Sequence, residues 1–181
     1  MFNLAQAMQA IDDALTTKPV DAALNWNTKV PFDPALVGQL IGHYRALNER
    51  FESLGAQLEG DSQAAEAKIR ECAEALHKLR HDESLRLYPV IARGLSSDPI
   101  TRRLFWQSRL VMLGLARRVF RRFDELARAI RTRTEVASAA EHAAKALAEY
   151  RRRNEAEMYP LYDLIGQRSI GTGARSGSRV A

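Results

Sequence analysis

Histidines are the first candidates for chemistry in this chain, because imidazole binds metals and moves protons near neutral pH. His77 and His81 stand four residues apart, the spacing that places two metal ligands on one face of a helix. Leu79, between them, belongs to the apolar side of the same predicted helix, so both rings point away from the core. We therefore predict that His77 and His81 face solvent. His142 is predicted to be an ordinary histidine without a ligand role.

Arginine is concentrated in one stretch of the chain. The acidic residues between positions 102 and 133 are Asp124 and Glu125. The arginines in this range are Arg102, Arg103, Arg109, Arg117, Arg118, Arg121, Arg122, Arg128, Arg131 and Arg133. On a helix, Arg103, Arg117, Arg121 and Arg128 share one side. Such a stripe suits an acidic protein surface or a nucleotide, or it is a solvated outer face. No aromatic residues interleave the arginines and no nucleic-acid motif is present, so a nucleic-acid partner is not expected.

No constellation for catalysis accompanies these residues. The single cysteine, Cys72, excludes a disulfide framework and a cysteine-based metal site. Glu71 and Glu74 lie close to it in sequence and disfavour a reactive thiolate. We find no Ser/His/Asp set, no glycine-rich phosphate loop and no convergent pair of carboxylates. The sequence therefore predicts that the chain is not an enzyme.

The elements that must position these residues are helices. Hydrophobic residues make up 46% of the chain and charged residues 27%, with a net charge of +5, which is typical of a soluble globular protein. Apolar residues recur every three or four positions between turn residues. The spacing predicts long helices near 34–58, 62–93, 99–132 and 134–165, after a short amphipathic helix over 2–16. We expect 1–33 to form an N-terminal arm, 34–165 a bundle and 166–181 a disordered tail.

The four long helices fall into two similar pairs. ALHKLRHDESLRLYP at 75–89 aligns with ALAEYRRRNEAEMYP at 146–160, an offset of 160 − 89 = 71. The first and third helices align at an offset of 114 − 42 = 72, which pairs Gly42 with Gly114 and Phe51 with Phe123. Two helical hairpins packed face to face bury both apolar stripes. We therefore predict an all-α, up-down four-helix bundle made of two repeated hairpins.

Three segments carry a further pattern: LIGHYRALNERF around His43, and two acidic stretches that run into an aromatic residue and proline, DESLRLYPVI and NEAEMYPLYDLI. Over about residues 34–165 they resemble the hemerythrin-like (HHE cation-binding) family. The resemblance implies a four-helix bundle in which histidines and carboxylates from all four helices converge on a di-iron centre. It also implies a protein that senses or carries O2 or NO.

Carried over position by position, the resemblance leaves most of that centre missing. His43 and Glu83 keep the family's residue types. The positions that depart from them are Leu79, Leu115 and Tyr150, where histidines are expected, and Asn154, where a glutamate is expected. We predict that His43 and Glu83 face the core beside Tyr150 and Asn154. They form either a hydrogen-bonded polar remnant or a single weak iron site, so no cofactor is expected, with weakly bound iron as the alternative.

The first half of the third predicted helix, LFWQSRLVMLGLA, is apolar on nearly every side. We assign to its core side Leu104, Val111, Met112, Leu115 and Val119. Trp106, Leu110 and Leu113 then form an outer ridge among the flanking arginines, where exposed apolar residues favour a partner. A homodimer interface is the first expectation, because two-fold dimers are the commonest oligomers. Another protein could cover the ridge instead.

These features favour a non-enzymatic binding or regulatory protein on a hemerythrin-like bundle. It has lost most di-iron ligands and contacts a partner or anionic ligand through an arginine-rich apolar helix. The alternative is a residual non-haem metal protein of the kind that the resemblance implies. No apolar run approaches the length of a membrane span, and MFNLAQAMQAIDDAL does not resemble a secretory signal. We therefore expect a cytoplasmic protein without a membrane partner.

Overall fold

The computed structural model describes residues 29–55, 62–95 and 99–173, and all the regular structure in these ranges is helical. The first helix, α1, spans Leu36–Glu52. The second helical run joins α2 (Ser62–Asp82), a first π-helical segment (Glu83–Leu87) and α3 (Tyr88–Gly94). The third is α4 (Pro99–Thr132), and the fourth joins α5 (Val136–Arg153), a second π-helical segment (Asn154–Met158) and α6 (Tyr159–Gly173). The all-α prediction is confirmed for these residues, and none of their helices is long and apolar enough to cross a membrane.

The predicted helix limits agree with the structure best at α4, which spans the predicted 99–132. The first helix ends at Glu52, earlier than predicted. The fourth predicted helix ends later than residue 165, because α6 continues to Gly173. Ile165 is buried and Gly166 packs against Phe32, so these contacts hold the helix past its predicted end. The helix predicted over 2–16 and the later part of the tail, 174–181, lie outside the described residues.

Asp33 fixes the start of α1. Its carboxylate accepts hydrogen bonds from the Ala35 amide at 2.9 Å and from the Arg86 guanidinium at 2.8 Å. The Asp33 amide donates to the Tyr162 hydroxyl at 2.9 Å, and that hydroxyl donates back to the Asp33 carbonyl at 3.2 Å. Asp33 therefore satisfies a free amide at the helix start and ties α1 to the second and fourth helical runs.

The two π-helical segments lie at equivalent places in the repeat. Their starts are separated by 154 − 83 = 71 residues and their ends by 158 − 87 = 71, the offset found in the sequence. Each is followed by Tyr-Pro. Pro89 and Pro160 lack an amide and would clash with a carbonyl four residues earlier, so a wider turn relieves each proline. Both segments begin with a buried polar residue, Glu83 in one and Asn154 in the other.

The helical runs pack around one apolar core. α1 packs against α2, α4 packs against α5 and α2, and α3 packs against α6. Phe51 and Phe123, which the sequence repeat pairs, stack with their ring centroids 5.7 Å apart. Leu79 and Leu115 are both buried in this core. Burying each leucine contributes roughly 1.5–3 kcal/mol to the free energy of unfolding.

The rotation of α4 differs from the prediction. Its core side carries Phe105, Met112, Leu115, Ala116, Val119, Phe120 and Phe123. Leu104 and Val111, which were expected to face the core, are exposed instead. Phe105 decides the rotation, because its ring packs edge-on against Tyr88 with the centroids 6.2 Å apart. A buried phenylalanine removes more apolar area from water than the neighbouring leucine could.

The predicted outer ridge of Trp106, Leu110 and Leu113 is also wrong in two of its members. Leu110 is exposed, but Trp106 and Leu113 are half-buried. The indole of Trp106 contacts the Phe105 ring at a centroid distance of 5.3 Å, and the Arg109 guanidinium lies over it at 5.1 Å. Trp106 therefore packs at the edge of the core, and of the predicted ridge only Leu110 belongs to the exposed apolar face of α4.

Alanine at Gly166 is expected to destabilise the fold. A Cβ at this position would run into the ring of Phe32. We expect Gly166→Ala to lower the free energy of unfolding by ~1–3 kcal/mol, because the packed ring has to move. Gly42→Ala is the matched control: a Cβ there meets nothing within 4 Å. It should raise the free energy of unfolding by ~0.5–1 kcal/mol through helix propensity. Urea denaturation measures both, and an undisturbed Gly166→Ala variant contradicts the packing of α6.

Candidate functional site

A carboxylate lies in the interior of the protein. Glu83, the first residue of the first π-helical segment, is 1% exposed. The Tyr150 hydroxyl donates a hydrogen bond to its Oε2 at 2.7 Å, and the Tyr159 hydroxyl donates to its Oε1 at 3.2 Å. Both carboxylate oxygens therefore accept phenol hydrogens from the fourth helical run. Such partners are what a buried carboxylate requires, since its desolvation is otherwise costly.

Tyr44 brings α1 to the same place. The Asn154 side-chain amide donates to the Tyr44 hydroxyl at 2.9 Å, and the Tyr44 ring lies 5.9 Å from that of Tyr150. The Tyr44 hydroxyl therefore joins α1 to the fourth helical run beside Glu83. Asn154 Oδ1 is buried without a hydrogen-bond partner in the part of the chain that the structure describes. We call Tyr44, Glu83, Tyr150, Asn154 and Tyr159 the Glu83 cluster.

Burial sets the protonation of the Glu83 cluster. It raises the pKa of Glu83 from the ordinary 4.5 to about 7, against the opposing hydrogen bonds of Tyr150 and Tyr159, the charge of Arg80 and the nearby Tyr44 hydroxyl. Burial, reinforced by the negative charge of Glu83, also raises the pKa of Tyr44 and Tyr150 well above the ordinary value. The phenols therefore stay neutral donors, whereas Glu83 titrates near neutral pH.

The prediction that His43 faces this site is wrong. The His43 side chain is 48% exposed, with its Nδ1 4.0 Å from an Asp82 carboxylate oxygen. Tyr44 takes the buried position, in line with the buried Leu40 and Leu47 at steps of four and three. Successive residues differ by about 100° around a helix, so this one-residue change moves His43 from the core to the surface.

The structure does bring Glu83, Tyr150 and Asn154 together, as predicted. Sequence reasoning missed Tyr44 and Tyr159. Tyr159 had a signal, because it belongs to the Tyr-Pro pair that ends each half of the repeat. Tyr44 could have been found from its spacing to the leucines of α1, but an adjacent histidine matched the family pattern.

The donors of the Glu83 cluster do not suit the di-iron centre that the resemblance implies. Glu83 is its one carboxylate, and both Glu83 oxygens already accept phenol hydrogens. Across residues 29–55, 62–95 and 99–173, no group of three or more His, Cys, Asp or Glu is placed to hold a metal ion. His77 and His81 are exposed on α2, as predicted. The cluster instead suits internal hydrogen bonding and the uptake of a proton.

The arginine stripe lies on the outer side of α4. Of the predicted stripe, Arg103, Arg121 and Arg128 are exposed, and the neighbouring Arg118 is exposed as well. Arg117, predicted to belong to the stripe, is half-buried, and Arg121 lies 3.9 Å from a Glu125 oxygen. All three arginines at 151–153 pair within their own helical run: Arg151 with Glu155, Arg152 with Glu149 and Arg153 with Glu157.

The chain matches no protein-family model, no curated protein and no solved structure. Its function therefore has to be inferred from the Glu83 cluster and the outer side of α4.

Glu83 is expected to make the protein less stable as pH rises. Because the folded-state pKa is about 7 against an ordinary 4.5, the folded chain holds this proton more tightly than the unfolded chain. The stabilisation is complete below about pH 4.5 and is lost as pH rises to about 7, on the order of 3 kcal/mol. Urea unfolding across this range should show the decline, and Glu83→Gln should remove it.

Glu74→Gln is the matched control for this experiment. Glu74 is exposed on α2, in the same helical run as Glu83. The control variant should therefore keep the pH dependence of the wild type. If Glu83→Gln also keeps it, Glu83 is not the buried titrating group.

Tyr44→Phe is expected to destabilise the protein more than His43→Ala. The first change removes the hydroxyl that accepts the Asn154 amide and leaves a buried donor unsatisfied, which costs about 1–3 kcal/mol. The second alters a half-exposed surface residue and should change the free energy of unfolding by less than about 0.5 kcal/mol. Urea denaturation compares the two variants. The opposite order would place His43, rather than Tyr44, in the core.

Proposed function

We propose that this chain is a binding or regulatory protein, not an enzyme, built on an up-down bundle of two helical hairpins with a hemerythrin-like layout. The recurrence of the π-helical segments at an offset of 71 supports the repeat. The pairwise packing of α1 with α2 and of α4 with α5 supports the hairpins. The cytoplasm stays the predicted location.

The exposed apolar face of α4 is the observation that carries this proposal. Ile100 is 74% exposed, Leu104 57%, Leu110 62% and Val111 44%. We call these residues the α4 ridge. Ile100, Leu104 and Val111 follow one another at steps of four and seven, so they line one side of the helix, with Leu110 beside them. A contiguous patch of large apolar side chains marks an interaction surface rather than a chance exposure.

The charge around the α4 ridge indicates what kind of partner fits. Arg103 lies beside the ridge, and Arg118, Arg121 and Arg128 continue along the same side of α4. No Asp or Glu occurs anywhere in residues 99–123. An apolar surface with a basic rim complements a protein surface that carries apolar residues and carboxylates. We therefore take an acidic protein surface as the partner class.

Two other partners that the sequence predicts would use parts of the same surface. A second copy of this chain would now pair through the α4 ridge instead of through Trp106 and Leu113. A nucleotide or another small anion would use the arginines alone. The buried Glu83 carboxylate already has hydrogen-bond partners within the protein. Leu79 and Leu115 fill core positions where the family resemblance implies metal ligands. Both observations favour a binding role for the surface of α4 over a metal centre in the core.

Charge reversal on α4 tests the proposal, with poly-L-glutamate as the probe and fluorescence anisotropy as the measurement. We expect Arg118→Glu with Arg121→Glu to weaken binding at least about tenfold, because each exposed ion pair contributes roughly 0.2–1 kcal/mol and each reversal adds repulsion. Binding to the unaltered chain should also weaken as salt rises. Both arginines are exposed and the Arg121–Glu125 ion pair is weak, so the thermal unfolding temperature should fall by only a few degrees.

The matched control reverses two exposed cations on α2, Arg70→Glu with Lys78→Glu, and changes the net charge equally. This variant should keep most of the affinity for poly-L-glutamate. Equal losses in the two double variants would mean that only net charge matters, and the assignment to α4 would then fail.

A further inference from the structure

The chain enters the described structure near the start of α4. The Val30 carbonyl accepts a hydrogen bond at 2.8 Å from the Arg93 guanidinium, in the last turn of α3. Arg93 precedes Pro99, the first residue of α4, by 99 − 93 = 6 residues, which span at most about 21 Å. The segment that precedes residue 29 therefore begins at the end of the molecule where the α4 ridge starts.

The length of this preceding segment suits the α4 ridge. Ile100 and Val111 are separated by 11 residues, or about 17 Å along a helix. Residues 2–16 predict an amphipathic helix of about 21 Å. Residues 17–28 connect that helix to the bundle and reach at most about 40 Å when extended. The connection is therefore long enough to lay the predicted helix along the ridge in either direction.

The chemistry of residues 2–16 also complements the α4 ridge. Their apolar stripe consists of Phe2, Leu4, Met8, Ile11 and Leu15. Asp12 and Asp13 are their charged residues, and no Lys or Arg occurs before Lys18. The segment is therefore apolar and acidic, which matches an apolar ridge with a basic rim. Two copies of the ridge match less well, since each would bring a basic rim with no acidic residue between 99 and 123.

We propose that residues 2–16 cover the α4 ridge of the same chain and so compete with the partner for that surface. The competition rests on the proposed function, whereas the covering contact does not. When the segment is seated, Asp12, which flanks its apolar stripe, lies near the arginines beside the ridge. A partner then binds only the fraction of molecules in which the ridge is free, so its apparent affinity is reduced by that fraction.

Chemical cross-linking within the full chain tests the covering contact. Gln107 is exposed at the middle of the ridge, and Ala7 lies beside the apolar stripe at the middle of the segment. The chain with Ala7→Cys and Gln107→Cys is treated with a short bismaleimide at low protein concentration. Burial raises the pKa of the native Cys72 thiol to about 11, so this residue reacts slowly and is kept. Mass spectrometry separates cross-links within a chain from those between chains.

We expect a cross-link within the chain at a yield at least about tenfold above that of the control pair, because seating raises the effective concentration of the two thiols. The control is Ala7→Cys with Ala46→Cys, on the exposed side of α1. Adding Met8→Glu and Ile11→Glu to the Ala7→Cys, Gln107→Cys chain should lower its cross-linking yield to that of the control pair. The melting temperature of the bundle should stay the same. Equal yields for the two pairs would overturn the proposal.

The variant with Gln107→Cys alone separates this proposal from self-association. It should give no cross-linked dimer if the segment covers the ridge. Efficient dimer formation would overturn the covering contact and identify a second copy as the occupant, leaving the binding role of α4 intact. The proposed function is tested separately. If the α4 and α2 double variants lose poly-L-glutamate affinity equally, the proposed function fails while the cross-linking result is unchanged.

Discussion

The buried carboxylate of Glu83 is the interaction on which the arrangement of the helices depends. A carboxylate in the interior is tolerated only with donors on both oxygens or with a proton of its own. Here Tyr150 and Tyr159 supply donors from the fourth helical run, and Tyr44 ties α1 to that same run by accepting a hydrogen bond from Asn154. A shift of any of these helices along its axis would break a hydrogen bond that water cannot replace. The cluster therefore fixes the register of three helical runs at once.

Each half of the repeat is incomplete without the other. At the equivalent π-helical positions the first half places an acceptor, Glu83, and the second half places an amide, Asn154. The position of Leu79 in the first half corresponds to Tyr150 in the second, at the offset of 71. The hydrogen bonds therefore run between the halves: Tyr150 to Glu83, and Asn154 to Tyr44. This difference between the repeats gives the two halves a specific polar match in addition to their apolar surfaces.

Features that depend on the spacing of apolar residues could be predicted from the sequence. Which of two adjacent residues faces the core could not. Helical class and the limits of α4 follow from apolar spacing, and the meeting of Glu83 with Tyr150 follows from the ligand positions that the family resemblance implies. Adjacent residues differ by about 100° around a helix, so only one of each pair can face the core. The pairs in question are His43 with Tyr44 and Leu104 with Phe105, and either member of each pair suits a core position. Contacts distant in sequence decide such choices, such as the packing of Phe105 on Tyr88. The end of α6 was also missed because contacts distant in sequence, such as that of Gly166 with Phe32, lie near it.

The arginines show a contrast between two surfaces of similar composition. On α5, Arg151, Arg152 and Arg153 each pair with a glutamate three or four residues away. The positive charge of each arginine is therefore balanced locally by a carboxylate. On the first half of α4 no acidic residue is within reach in the helix, and large apolar side chains lie between the arginines. Intrahelical pairing would have served solubility equally well there. A surface that lacks its own carboxylates and leaves apolar side chains exposed has the chemistry that the proposed contact with another segment requires.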